Sequence, residues 1–117
     1  MTGESILTTI KKLLGVEEEY TQFDTDIIVN INSIFMVLNQ LGVGPETGFS
    51  ISDKTKTWYD YLGENANFDS VKSYMYLKVR LLFDPPSNAF LVQSMERLIT
   101  EFEWRLNAQA EGGGISE

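Results

Sequence analysis

Among the side chains able to do chemistry, the seventeen carboxylates are the most prominent group. Glu17, Glu18 and Glu19 are consecutive, Asp24 and Asp26 follow, and Glu96, Glu101 and Glu103 lie close together near the end. Such groups can ligate a metal, work as a general acid and base, or repel a polyanion. They have few helpers, because the 117-residue chain contains no His and no Cys. That removes Ser–His–Asp triads, thiol nucleophiles, Cys-based zinc sites, iron–sulfur clusters and disulfides. Carboxylates without His or Asp partners in register are a weak metal signal. A charge run such as Glu17–Glu19 is most simply a solvated face, and Asp24 and Asp26 read as capping residues. A carboxylate-pair glycosidase needs no His, but nothing marks a cleft or aromatic-lined subsites. Gly112-Gly113-Gly114 follows no strand and precedes no helix, so it is no phosphate loop. The expectation is a non-enzymatic protein with no cofactor and no metal.

The length predicts one domain with a hydrophobic core of its own. We place it at residues 1–111, followed by a flexible glycine-rich tail at 112–117. Nine Lys plus Arg stand against seventeen Asp plus Glu, a net charge of −8. That balance argues against a basic face for nucleic acid. The N-terminal segment lacks the basic and apolar regions of a signal peptide, and no run has the ~18 apolar residues needed to span a bilayer. A soluble protein made in the cytoplasm is expected.

The fold class predicted is all-α. It is a small bundle of about four main helices, with a long loop that has room for a short helix or a β-hairpin. Ile6, Ile10, Leu13 and Leu14 form the stripe of a helix over about Glu4–Leu14, capped by Thr2 or Gly3 and stopped by Gly15. Ile27, Ile31, Ile34, Leu38 and Leu41 repeat at helical spacing in a second helix that begins with Asp24 or Thr25. The loop from Gly42 to Thr55 carries turn signals at Gly44-Pro45 and Thr47-Gly48, and Phe49-Ser50-Ile51 alternates like a short strand. A short helix follows over about Lys56–Leu62. The next helix, about Asp69–Phe83, is apolar nearly all round, which fits a central place in a bundle or a face shared with a partner. After Pro85-Pro86, a last helix capped by Ser87 or Asn88 runs to about Gln109, with Leu91, Met95, Leu98, Ile99, Phe102 and Leu106 on one face.

Two aromatic groups stand out against this frame. At ~100° per residue, Trp104 points away from the last helix's apolar face, toward the side of Phe90, Arg97 and Glu101. That set reads as a subunit or partner interface, where Trp and Arg are enriched. The other reading is packing of Trp104 on its own chain. Phe49, Trp58, Tyr59 and Tyr61 lie among Asp53, Asp60 and Glu64, without the basic groove that base stacking needs. They read as a minicore pinning the long loop, with a contact role still open because long loops usually have one.

Four segments, taken in order, carry a family resemblance. They are ILTTIKKLLG (Ile6 to Gly15), DIIVNINSIFMVLNQLGVGP (Asp26 to Pro45), VKSYMYLKVRLLFDPP (Val71 to Pro86) and MERLITEFEWRLNAQAE (Met95 to Glu111). Together they resemble the small head–tail connector proteins, also called adaptors or head-completion proteins, of long-tailed bacteriophages. The similarity covers most of the chain and contains no catalytic signature. It implies a helical subunit of a homo-oligomeric ring, typically twelvefold, beneath the portal protein in the virion neck. Such a ring continues the DNA channel and presents a surface to the stopper or tail-completion protein. DNA passes through it without specific binding. The resemblance further implies portal docking by the end of the last helix and the tail, including Asn107, Gln109, Glu111 and Ile115. It makes the loop with Phe49, Ile51, Trp58 and Tyr61 a contact for a neighbouring subunit or the tailward partner. Glu17, Glu18 and Glu19 become candidate channel-facing acids. The rival reading is a small acidic regulatory module that binds and masks a partner protein.

Overall fold

The computed structural model of the chain describes residues 4–63 and 68–115, with side chains for all of these except Phe68 and residues 111–115. Five helices appear in order: α1 (Ile6–Leu14), α2 (Asp24–Gln40), α3 (Trp58–Leu62), α4 (Phe68–Phe83) and α5 (Ala89–Ile115).

α1 ends as its sequence predicts but starts differently. Gly15 closes it in the left-handed conformation, φ +84°, and its N–H returns to the carbonyls of Lys11 and Lys12. The N-cap is Ser5, not Thr2 or Gly3, and the Ser5 hydroxyl accepts the Thr8 N–H at 3.2 Å. The cause is tertiary. Ile6 N–H donates to the Lys56 carbonyl at 3.0 Å, and Trp58 N–H donates to the Glu4 carbonyl at 3.1 Å. This antiparallel bridge between Ser5 and Thr57 keeps Ser5 extended, the backbone an N-cap needs.

α2 has Phe23 as its N-cap, with no capping side chain. Asp24 lies inside the helix and is turned toward Lys11 instead, 2.8 Å away. α3 starts with a full capping box: Thr57 accepts the Asp60 N–H, and Asp60 accepts the Thr57 N–H. α5 begins behind Asn88, whose side chain accepts the Leu91 N–H at 3.0 Å. Its backbone remains helical to Ile115, past the predicted end at Gln109 and across the boundary placed at residue 112. Glycine lowers helix propensity but does not forbid helical backbone angles, so Gly112–Gly114 do not by themselves stop it.

α4 is central, as its apolar surface anticipates: it packs on α1, α2 and α5. Val71, Tyr74, Met75 and Val79 are fully buried there, against Ile6 and Ile10 of α1 and Ile27, Ile31, Ile34 and Leu38 of α2, all in one core. Removing this apolar surface from water is the main favourable term in the fold.

No strand forms among the described residues, and Phe49-Ser50-Ile51 is irregular. Ile51 has a side-chain partner in place of a strand. Its N–H donates to Asn32 Oδ1 at 2.8 Å, and its carbonyl accepts from Asn32 Nδ2 at 2.9 Å. One amide thus satisfies both backbone groups of a buried residue, which leaves no demand for a β partner.

Candidate interaction surfaces

The outer face of α5 carries two large aromatic side chains left mostly uncovered. Phe90 is 82% exposed and Trp104 72%, with Leu91 and Leu98 each 46% exposed. Met95, Ile99 and Leu106 turn inward and are buried. Trp104 therefore points outward as its register predicts, with most of its surface open to solvent. Leu91 and Leu98 depart from the prediction. They sit at the margin of the buried stripe, where the helices facing α5 do not reach, and they widen the exposed face. Arg97 and Glu101 are exposed on it too, and Glu101 is paired with Arg105 at 2.7 Å.

A second surface was not anticipated. An open groove of about 740 Å³ runs between the end of α1, the start of α2 and the end of α4. Leu14, Val16, Phe23, Val29, Leu82 and Phe83 line it, with Asp26 and Asp84 at its sides. Val29 and Leu82 are each 58% exposed. Phe23 stacks edge-on against Phe83 and Tyr20, with centroids 5.3 and 5.4 Å apart, which shapes the wall. The sequence does hold a sign of this surface. Val29 is an apolar residue off the buried stripe of α2.

The long loop uses its large side chains internally. Trp58 is fully buried and its indole N–H donates to Thr9 Oγ1 at 3.1 Å. Tyr61 is buried beside Phe35 and the half-buried Phe49, in a trio with centroids 4.6–5.1 Å apart. Ile51 is buried as well. These four candidate contact residues thus form the minicore, and Tyr59 is the exposed aromatic of the group. Burial pushes the Tyr61 phenol far above its ordinary range.

Glu17, Glu18 and Glu19 sit on an anchored turn with their side chains exposed. The buried Lys11 ammonium donates to the Glu18 carbonyl at 2.9 Å and the Tyr20 carbonyl at 2.8 Å. Backbone is fixed inward and charge is held outward. Among the described residues no three acidic side chains converge as a metal site would require. Of the candidate docking residues near the end of α5, Asn107 is partly buried and donates to the Leu41 carbonyl at 3.2 Å, tying α5 to the end of α2. Gln109 is exposed. The side chains of Glu111 and Ile115 lie outside the described residues.

Glu103 faces inward on α5. It accepts the Tyr74 hydroxyl at 2.7 Å and lies 3.7 Å from Lys78, joining α4 to α5. Burial, then the Glu103 carboxylate, raise the Tyr74 phenol well above the usual tyrosine range. This partly exposed cluster bridges the helix pair and reads as packing support for the exposed face opposite.

A family model described as phage connector protein matches residues 6–113. The chain belongs to this family. The match spans every helix and both exposed surfaces. No curated protein and no solved structure gives a significant match. Membership gives the chain a connector role in a phage, and it accords with surfaces built for contact. Among the described residues, no helix of this connector is long and apolar enough to cross a membrane.

Proposed function

We propose that this connector is the adaptor subunit of the virion neck, made in the host bacterial cytoplasm. It forms a ring under the portal, twelvefold as is typical of such adaptors, extends the DNA channel and offers a docking surface to the stopper or tail-completion protein. It works by contacts and carries no catalytic step. The observation that carries this reading is the α5 outer face, where Phe90 and Trp104 stand more than two-thirds exposed. Water-exposed aromatics of this size are costly to leave bare, and a ring gives every copy a cover for them.

The remaining assignments carry the family resemblance onto this arrangement. Phe90, Arg97, Glu101 and Trp104 form the subunit interface. The end of α5, with Gln109, Glu111 and Ile115, reaches the portal, while Asn107 keeps that end anchored to the bundle. The loop meets a neighbouring subunit or the tailward partner through its exposed positions, Tyr59 among them, because Ile51, Trp58 and Tyr61 are buried. Glu17, Glu18 and Glu19 face the channel, where an acidic wall repels DNA and lets it pass unheld.

The deciding experiment is imaging of the intact virion neck with its symmetry determined, not imposed. A ring of this chain in contact with the portal is the expected result. Mass measurement of the purified chain with and without portal provides the complementary test. A monomer or dimer that ignores the portal and binds a host protein would replace the adaptor with the acidic regulatory module.

A further inference from the structure

The two exposed apolar surfaces lie on different elements and carry opposite charge. The outer face of α5 holds Trp104 and Arg97. The α1–α2–α4 groove mixes apolar side chains with Asn30, Asp26 and Asp84 in its lining. We propose that Trp104 of one copy seats in this groove of the next copy, with Arg97 facing Asp26 and Asp84. This pairing rests on the ring reading above and specifies which surface meets which.

The charge inventory carries the argument. A chain with net charge −8 repels its own copies, so self-association needs its few cations placed where acids await them. Most described cations are engaged within the chain. Lys11 pairs with Asp24, Lys72 with Glu4, Lys78 with Glu103 and Arg105 with Glu101. Arg80 donates to Tyr76 and to the Asp84 carbonyl, and Lys56 lies over the Phe49 ring. Lys12, Lys54 and Arg97 pair with no acid among the described residues, and of these three Arg97 stands exposed in the middle of the apolar face of α5. Asp26 likewise has no cation partner there and borders the groove between Phe23 and Val29. Two helical turns, about 10 Å, separate Arg97 from Trp104. An indole can therefore lie against the groove's apolar side chains while the guanidinium reaches Asp26 or Asp84.

Because knob and groove are different patches of one surface, the contact is head-to-tail. Contacts of that kind close into rings when the rotation between copies allows. A face-to-face contact between two α5 helices would instead make a dimer and set Arg97 against Arg97.

Charge reversal on the full chain, assembled with its portal protein, tests the pairing. Wild type is expected to form a ring. Arg97→Glu alone and Asp26→Arg alone are each expected to raise the concentration needed for assembly by about tenfold or more. Both positions are exposed, and circular dichroism should show both variants folded. Mixed in equal amounts, the two variants are expected to recover the ring, since alternating copies place each acidic knob in a basic groove and each Arg97 in an acidic one. Wild-type assembly by either single variant, or no recovery on mixing, overturns the pairing and leaves the ring standing. No wild-type ring on the portal overturns the ring reading and the pairing with it. The absence of native Cys allows a second test. Arg97→Cys with Asp26→Cys in one chain is expected to give a disulfide ladder, and either substitution alone none. A dimer from Arg97→Cys alone would indicate the α5–α5 contact and overturn the proposal.

Discussion

Lys11 Nζ lies 2.8 Å from Asp24 Oδ1, and the lysine side chain is 3% exposed. Its better-aligned donors go to the carbonyls of Glu18 and Tyr20, so the Asp24 oxygen gains a charge contact and no aligned hydrogen bond. One buried cation thus fastens the turn that carries Glu17–Glu19 to the two helices it connects. Lys11→Met keeps the apolar stem but removes the charge from two carbonyls and a carboxylate. We expect a loss of about 3 kcal/mol in unfolding free energy, measured by urea denaturation. Asp24→Asn should cost less, because Asp24 keeps partial access to water.

Gly44 passes against the Tyr61 ring at φ +86°, and a Cβ there would stand 2.5 Å from the ring. The ring cannot yield easily, because Phe35 and Phe49 hold it. Gly44→Ala is expected to destabilise the chain by about 2 kcal/mol or more, from overpacking and from the left-handed backbone. Gly15→Ala has the same backbone penalty without a clash and should cost less in the same melt.

The Tyr74 phenol is held neutral by burial and by Glu103. In the unfolded chain it ionises near pH 10. A folded pKa raised above the unfolded one gives stability that is complete below pH 10 and is lost as pH rises beyond it. Denaturation midpoints should therefore fall above pH 10. Tyr74→Phe should flatten that fall, leaving a remainder from Tyr61, whose phenol is raised in the same direction.

Trp104→Ala and Phe90→Ser should leave the unfolding free energy of the monomer nearly unchanged, within about 0.5 kcal/mol, because both side chains are exposed. Trp104→Ala should nevertheless prevent ring assembly on the portal, read by mass measurement. A core truncation such as Met75→Ala should do the opposite to stability and cost about 2–5 kcal/mol.

Replacing Glu17, Glu18 and Glu19 together by Gln should slow DNA ejection from assembled particles, by removing charge that repels the passing polyanion. Ejection timed by fluorescence from single particles is the measurement. An unchanged rate would remove these residues from the channel wall.

Much of the architecture was legible because it is local. Helical spacing in Ile27–Ile31–Ile34–Leu38 marks α2 whatever it packs on, and Gly15 stops α1 through its own backbone. The apolar circumference of α4 announced a central helix, and the register of Trp104 placed it off the buried face. The family resemblance followed the same helices. The candidate site was less legible. The loop aromatics read as a minicore with a contact role left open, and the structure buries Trp58 fully while Trp104 is 72% exposed.

The sequence by itself determined the helices, the acidic balance and the lack of His and Cys chemistry, since each is a property of nearby residues or of composition. Tertiary structure alone decided that Ser5 caps α1, that Asp24 meets Lys11, that Asn32 holds Ile51, and that Leu91 and Leu98 lie half open. It also formed the groove of Leu14, Val29 and Leu82 from three separate helices. Periodicity tells which side of a helix is apolar. Whether that side is covered depends on how far the neighbouring helices extend along it, and only their packing sets that reach.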